Sequence, residues 1–346
     1  MTEPHPQPLT DMGRASSPRV GISIVVPLFN ERSVLPDCLA RLAQALATLD
    51  LSHELVFVDD GSEDGSPEYL IDQMRTHPTA RLIRLSRNFG KEAALTAGLE
   101  HARGEAVIVM DADLQDPPEL IPEMVKKWQS GVDVVLMKRR SRQGETWVKR
   151  TSAHLFYRLL NRVSQSDIPV DTGDFRLMSR RAIQALLQLT ERNRYMKGLF
   201  AWIGMPTVVM EYDRAPRAAG STKWDYLGLI QLALEGITSF SISPLRWATM
   251  IGLVAASLGT LFGLWIVAKS LFFGDAPTGY PSLVAIITFL GGIQLLGIGI
   301  VGEYVGKTYM ESKRRPVYLI QDTVAQNTLV RPEVIRYKER ELHAKA

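Results

Sequence analysis

Two patterns of apolar and polar positions divide the chain. In the first, short apolar runs alternate with stretches in which apolar residues recur every three to four positions. Ile22–Val26, Glu54–Val58, Arg81–Leu85, Ala106–Met110 and Asp133–Met137 have the length and β-branched content of buried strands. The stretch from Ser33 to Thr48 has the spacing of an amphipathic helix. Strands separated by helical stretches of roughly 10–20 residues predict βαβ units, and so an α/β fold with a mostly parallel, Rossmann-like sheet. Ligands of such sheets bind beyond the carboxyl ends of the strands. Polar clusters fall at those ends: Pro27-Leu-Phe-Asn-Glu31, Asp59-Asp60-Gly61-Ser62 and Asp111-Ala-Asp113.

The second pattern is unbroken apolarity. Trp247–Ala268 and Ala276–Gly302 contain no charged residue. A helix needs about 20 apolar residues to cross the hydrocarbon core of a bilayer, and both stretches have them. Arg214, Arg217, Lys223 and Arg246 precede the pair, and Lys307, Lys313, Arg314 and Arg315 follow it. The connection from Ser270 to Pro281 holds only Asp275. The positive-inside rule then predicts a hairpin with both chain ends in the cytoplasm, Lys269 reaching outward from the end of its span. Gly259-xxx-Gly263 and Gly302-xxx-Gly306 have the spacing that permits close helix approach. Neither span has an ionisable residue in its interior, so the pair reads as an anchor rather than an ion path. Between the two patterns, Asp225–Phe240 is apolar with Gln231, Glu235 and Thr238 at helical spacing, which fits a helix lying in the headgroup layer.

Composition adds exclusions. The 346 residues carry a net charge of +3, too little to argue for nucleic acid as a partner. The single cysteine, Cys38, excludes an intramolecular disulfide framework and a multi-cysteine zinc site. Residues 1–19 are proline-rich without an apolar core, so they read as a disordered leader and not a signal peptide. No strand is followed by GxGxxG or GxxxxGK[ST], which removes the dinucleotide and P-loop readings. Carboxylates at a phosphate-rich site need a cation between them, and oxygen donors of this kind suit Mg²⁺ or Mn²⁺. Asp111 and Asp113 stand two apart at a strand end, and Gln115 continues the spacing.

Taken together, Pro27-Leu-Phe-Asn-Glu31, Val58-Asp59-Asp60-Gly61-Ser62, Arg87-Asn88-Phe89-Gly90-Lys91 and Asp111-Ala-Asp113-Leu-Gln115-Asp-Pro-Pro118 resemble family 2 glycosyltransferases of the GT-A fold. Among them the chain is similar to the dolichol- and undecaprenyl-phosphate hexosyltransferases. Asp171-Thr-Gly-Asp174-Phe-Arg176-Leu-Met and the hairpin resemble the bactoprenol glucosyltransferases of O-antigen modification. The resemblance covers roughly residues 21–320. It implies a GT-A catalytic domain at 20–222 and an interfacial amphipathic helix at 223–243. Two transmembrane helices follow at 244–307 (about 247–269 and 282–303), then a cytoplasmic tail at 308–346. The location implied is the bacterial inner membrane.

The resemblance also implies roles. Pro27, Phe29, Glu31, Val58, Asp60 and Asp111 would bind the nucleotide of a nucleotide sugar. Asp111, Asp113 and Gln115 would hold Mg²⁺ or Mn²⁺ on its diphosphate, with Asp113 counted as catalytic through that metal. Asp174 matches the position assigned as catalytic base. A lipid phosphate has a second pKa near ~6 by analogy with phosphoserine, so it is largely a dianion at neutral pH and hardly needs a base; Asp174 can instead orient the sugar or acceptor. Arg139, and Arg150 on an expected helix from Glu145 to Val163, would meet the polyprenyl phosphate. Arg150, His154, Arg158 and Arg162 form one stripe of that helix, and His154 stands where the family often has a small polar residue. Arg217-Ala-Ala-Gly220-Ser221-Thr222-Lys223 resembles an RxxGxSK loop with Thr222 inserted; Arg217, Ser221 and Lys223 would bind phosphate. Pro316–Ile320 reads as a short strand able to join a neighbour's sheet, and similar proteins form tetramers.

The implied reaction is inverting transfer of glucose from UDP-glucose to undecaprenyl phosphate at the cytoplasmic face. GDP-mannose and a UDP-aminopentose are alternative donors. A processive polysaccharide synthase lacks its QxxRW here, because Ser243 precedes Arg246-Trp247 where glutamine is required. A non-catalytic membrane scaffold would not need Asp111, Asp113 and Asp174.

Overall fold

The computed structural model describes residues 20–140, 172–192, 194–213, 238, 241–273, 279–325 and 328–330. The leader, the helix expected at 145–163 with Arg150, His154, Arg158 and Arg162, and the loop with Arg217, Ser221 and Lys223 lie outside them. So do most of the interfacial helix expected at 223–243, the connection at 274–278 and the end of the tail.

Five strands form where apolar runs predict them: β1 (Ile22–Leu28), β2 (His53–Asp59), β3 (Ala80–Leu85), β4 (Ala106–Val109) and β5 (Val134–Arg139). To these the chain adds β6 (Thr172–Ser179), β7 (Thr207–Tyr212), β8 (Ile320–Ala325) and β9 (Thr328–Val330). The sheet has the order β7-β5-β6-β4-β1-β2-β3-β8-β9. Strands β3, β2, β1 and β4 run parallel; β6 is antiparallel to both β4 and β5, and β7 is parallel to β5.

Alternation along each strand sends side chains to two cores. Ile22, Ile24, Val26, Leu55, Phe57 and Leu82 pack on one face with α1 (Leu35–Ala47), α2 (Ser66–Gln73) and α4 (Ile121–Gln129). Val25, Val56, Val58 and Ile83 pack on the other with α3 (Lys91–His101), α5 (Arg180–Leu187) and α6 (Met196–Trp202). Helix α3 lies close on the sheet at Gly98, where a Cβ would come within 2.2 Å of Val25 Cγ1. That approach sets the N-terminus of α3, with Lys91, over the ends of β1 and β4.

Helices α7 (Ser243–Phe273) and α8 (Tyr280–Ser312) are 31 and 33 residues long. At 1.5 Å per residue each spans about 45–50 Å, longer than the ~30 Å hydrocarbon core. Both therefore run past the expected spans, 247–269 and 282–303. Their apolar segments, Ser243–Ile266 and Phe289–Ser312, are long enough to cross a membrane and are not buried within the chain. Gly259, Gly263, Gly302 and Gly306 face nothing within 4 Å, so among the described residues the small-residue spacings do not pack one helix on the other. Lys269 lies over the Trp265 ring, 5.8 Å from its centroid, at the far end of α7.

The tail strand corrects an expectation. It forms at Ile320–Ala325 rather than Pro316–Ile320, and pairs antiparallel with β3 of its own chain. Backbone alone explains the choice: β3 without β8 would leave an unpaired edge beside a buried core. Arg84 and Asp322, in register across the pair, add an ion pair at 3.5 Å.

Candidate active site

The loops after β1, β2 and β4 and the turn before α3 enclose a cleft of about 290 Å³ at the carboxyl edge of the sheet. Hydrogen bonds stitch these loops together. Asn30 N–H donates to Ser62 Oγ at 2.8 Å, Glu63 N–H to Asn30 Oδ1 at 2.9 Å, and Arg32 N–H to Asp64 Oδ2 at 2.8 Å. Asn30 holds a left-handed conformation (φ 56°), one that asparagine tolerates better than most side chains. Gly61 (φ 78°) is required twice over, since a Cβ there would also lie 2.8 Å from the Arg87 carbonyl carbon.

Pro27, Phe29, Glu31, Asp60, Asp111 and Asp113 all line the cleft. Asp60 also braces it, accepting from the Phe89 N–H at 2.7 Å and the Gly90 N–H at 2.8 Å. Val58 does not line it. It is fully buried, on the face packed against α3, because alternation along β2 groups it with Val56. Gln115 is outside the lining too; its backbone N–H closes a turn on Asp113 Oδ1 at 3.2 Å. That turn forces Leu114, a buried leucine, to φ 58°, a conformation that costs about 1–3 kcal/mol and persists only where the surroundings over-determine it.

Lys91 links Asp111 of the cleft to Asp174, on β6 beside it. Its Nζ lies 2.6 Å and 2.8 Å from the oxygens of Asp111 and 2.6 Å from Asp174 Oδ2. Partial burial works against the ammonium, but the two carboxylates outweigh it and raise its pKa above the ordinary lysine value. Burial likewise works to raise the Asp174 carboxyl. Lys91, then Lys197, outweigh that and hold it well below the usual carboxylate range. Arg176, buried over the Phe200 ring (3.8 Å), donates to the Gly173 carbonyl at 2.8 Å and fixes the backbone beneath Asp174. Burial and the neighbouring Asp174 push Glu92 up to about 7. Arg139 stands beside this strand, since a Cβ on Gly173 would lie 3.0 Å from its Nη2.

Four carboxylates thus line the cleft against one ammonium, that of Lys91, among the described residues. A diphosphate entering such a cleft needs further positive charge. Among the described residues no three His, Cys, Asp or Glu side chains form a metal cage. The pair at the end of β4 instead fits a hard cation held by one or two carboxylates and completed by phosphate oxygens and water.

Residues 23–187 match the family model of Glycosyl transferase family 2. An uncharacterized glycosyltransferase of Synechocystis sp. is 47% identical over 303 residues, 88% of this chain and 95% of that protein. A prophage bactoprenol glucosyl transferase homolog of Escherichia coli K12 is 47% identical over 300 residues, 87% and 98% of the two chains. The chain belongs to glycosyl transferase family 2. A solved glucosyl-3-phosphoglycerate synthase of Mycobacterium tuberculosis aligns with the glycosyltransferase at 20% identity and a TM-score of 0.43, over 63% of this chain and 78% of that one.

Several residues of this glycosyltransferase gain a place in the site that their sequence did not assign. Lys91 and Asp116 sit inside recognisable motifs, and that position was their only signal. Glu92, Lys197 and Tyr212 lie outside those motifs, and nothing in their local sequence marks them.

Proposed function

We propose that the chain transfers glucose from UDP-glucose to undecaprenyl phosphate at the cytoplasmic face of the bacterial inner membrane, giving the polyprenyl-phosphate sugar and UDP. The observation that carries this reading is the Asp111–Lys91–Asp174 bridge in an acidic cleft at the sheet edge. The acceptor and sugar are supported by the bactoprenol glucosyl transferase names of close relatives. Two long apolar helices support a membrane-bound acceptor. The organisation that follows is a leader (1–19), a catalytic domain (20–222), an interfacial helix (223–243), a membrane hairpin (244–307) and a cytoplasmic tail (308–346), in a protein that assembles as a tetramer.

The chemistry is a single inverting displacement. A phosphate oxygen of the acceptor attacks the anomeric carbon, the bond from that carbon to the diphosphate breaks, and the electron pair leaves on UDP. Asp111 and Asp113 would hold Mg²⁺ or Mn²⁺, whose charge offsets that of the departing diphosphate. Pro27, Phe29, Glu31 and Asp60 bind the nucleotide. Lys91 adds a fixed positive charge beside the diphosphate and keeps Asp174 ionised. Asp174 is too acidic in this setting to take up a proton at neutral pH, so its role is to orient the sugar or acceptor. The dianionic acceptor phosphate supplies its own nucleophile. Arg139, Arg150, Arg217, Ser221 and Lys223 neutralise that phosphate as it approaches.

The test is transfer of radiolabelled sugar to undecaprenyl phosphate. UDP-glucose, UDP-galactose, GDP-mannose and a UDP-aminopentose are offered separately, each with Mg²⁺, Mn²⁺ or EDTA. Lipid product from UDP-glucose, lost with EDTA and in Asp113→Ala, is the expected result. Product from another donor alone would overturn the glucosyl assignment, and no product from any would overturn the reaction.

A further inference from the structure

Both connections between the catalytic sheet and the membrane helices leave from one edge. Strand β7 ends at Tyr212, in parallel register with Arg139 at the end of β5, and the chain runs from there toward α7. On the return, α8 ends at Ser312 and β8 opens at Ile320, which pairs with Leu85 at the end of β3. These are carboxyl ends of strands, on the edge that holds the cleft. Strands β7 and β8 lie on opposite sides of the cleft strands β4, β1 and β2, so the cleft sits between the two connections. The return connection is only residues 313–319, which span no more than about 25 Å. It is also gripped. Arg314 stops α8 with a left-handed backbone (φ 48°) one residue past the helix cap, and Pro316 follows, so the chain turns a defined corner. Arg192 of the catalytic domain holds both sides of that corner. Its N–H donates to Glu311 Oε1 at 2.7 Å, and its Nε to the Arg315 carbonyl at 2.7 Å. Three residues on, the Tyr318 hydroxyl donates to Glu100 of α3, with its ring edge-on to His101. On the membrane side, the Tyr304 hydroxyl donates to the Ser241 carbonyl and the Lys307 ammonium to Thr238, so the chain entering α7 is bound to α8 as well.

We propose that the corner between α8 and β8, clamped by Arg192, is a rigid second mount that holds the cleft edge of the catalytic sheet toward the lipid surface. One connection alone would leave the domain free to swing about it. Two connections, at opposite sides of the sheet but on the same edge, remove that rotation. The surface is the bilayer that α7 and α8 are long enough to cross. A phosphate carried by a lipid in that bilayer meets a cleft held at fixed height and angle. The effective concentration of one for the other then stays high, and it falls as the mount is lengthened or loosened. The mount's value to catalysis rests on the polyprenyl-phosphate reading above; its geometry does not.

The experiment places a fluorophore on full-length protein in nanodiscs whose lipids carry an acceptor dye on the headgroup. Glu63→Cys, in the loop after β2, labels the cleft edge, and Gln129→Cys, at the end of α4 just before β5, labels the opposite edge. The native Cys38 is buried, which leaves the introduced thiol as the reactive one. A seven-residue strand such as β2 separates the two edges by about 20 Å, so energy transfer to the lipid should be at least about twofold stronger from position 63 than from position 129. An insertion of about 20 Gly and Ser residues between Arg315 and Pro316, which adds ~25 Å of flexible reach, should bring that ratio toward one. Arg192→Ala should lower the ratio in the same direction. It keeps β8 in place, so it decides the matter should the insertion disturb the fold, which a thermal melt reports. Equal transfer from both positions in the wild-type protein would overturn the orientation, and a ratio that both variants leave unchanged would overturn the mount. None of these readings needs sugar transfer. Wild-type protein that keeps the ratio but glycosylates no undecaprenyl phosphate would remove the acceptor reading and leave the mount standing.

Discussion

Replacing Lys91 with methionine removes one ammonium and little volume, so it isolates the charge that bridges Asp111 and Asp174. Each bridge brings opposite charges to about 4 Å between centres, an interaction of ~4 kcal/mol at an effective dielectric of 20 and ~1 kcal/mol in water. The Lys91 side chain, common to both pairs, is 45% exposed, and solvent screening there puts each pair nearer the aqueous limit, at about 1–1.5 kcal/mol. Losing both therefore removes about 2–3 kcal/mol of favourable field from a cleft that four carboxylates already make negative. A diphosphate that gains charge as it leaves feels this loss most, so kcat in Lys91→Met should fall about 100-fold. Lys91→Arg keeps the charge but not the compact geometry, and should recover only part of the rate. Sugar transfer to lipid reports kcat, and a thermal melt confirms that the fold survives. A Lys91→Met enzyme within threefold of wild type, melting normally, would refute the electrostatic role and reduce the bridge to a surface contact.

Other consequences are open to direct measurement. Gly61→Ala demands a left-handed alanine against the Arg87 backbone, so stability should fall by about 1–3 kcal/mol and UDP binding with it, read by denaturant titration and calorimetry. Glu92 has a folded pKa raised to about 7 from the ordinary 4.5, so the folded state binds more protons across that window and stability falls as pH rises through it. Glu92→Gln should flatten the dependence and stabilise the protein by about 1–3 kcal/mol at pH 8, and a melt series from pH 5 to pH 8 that matches wild type would contradict this. Glu311, near the end of α8, accepts from the Arg192 backbone N–H at 2.7 Å and pairs with its guanidinium at 3.6 Å. Glu311→Ala should cost about 1 kcal/mol and speed hydrogen exchange in residues 188–195, because the pair is partly exposed and solvent replaces most of it.

What the sequence made legible follows from how local each determinant is. Strands β1 to β5 are bounded by their own turn residues, and each apolar run carries enough β-branched content to be recognised alone. Strand β8 is different, since its partner β3 lies more than 200 residues earlier and no local pattern marks Ile320–Ala325 as the cover for that edge. The same distinction runs through the site. Asp111 and Asp113 stand two apart in the chain, so their common direction could be argued from spacing. Lys91 meets Asp111 only because Gly98 lets α3 approach β1 so closely that the first turn of α3 overhangs the ends of β1 and β4. Asp174 is drawn in from an antiparallel strand inserted between β4 and β5, a placement that only the strand order fixes. Tyr212 is less legible still, because its hydroxyl meets Asp116 only once β7 is in register beside β5. Register is a property of two strands and is written in neither. Motifs therefore identify the groups that line the cleft, whereas the residues that brace those groups become visible only when the sheet is assembled.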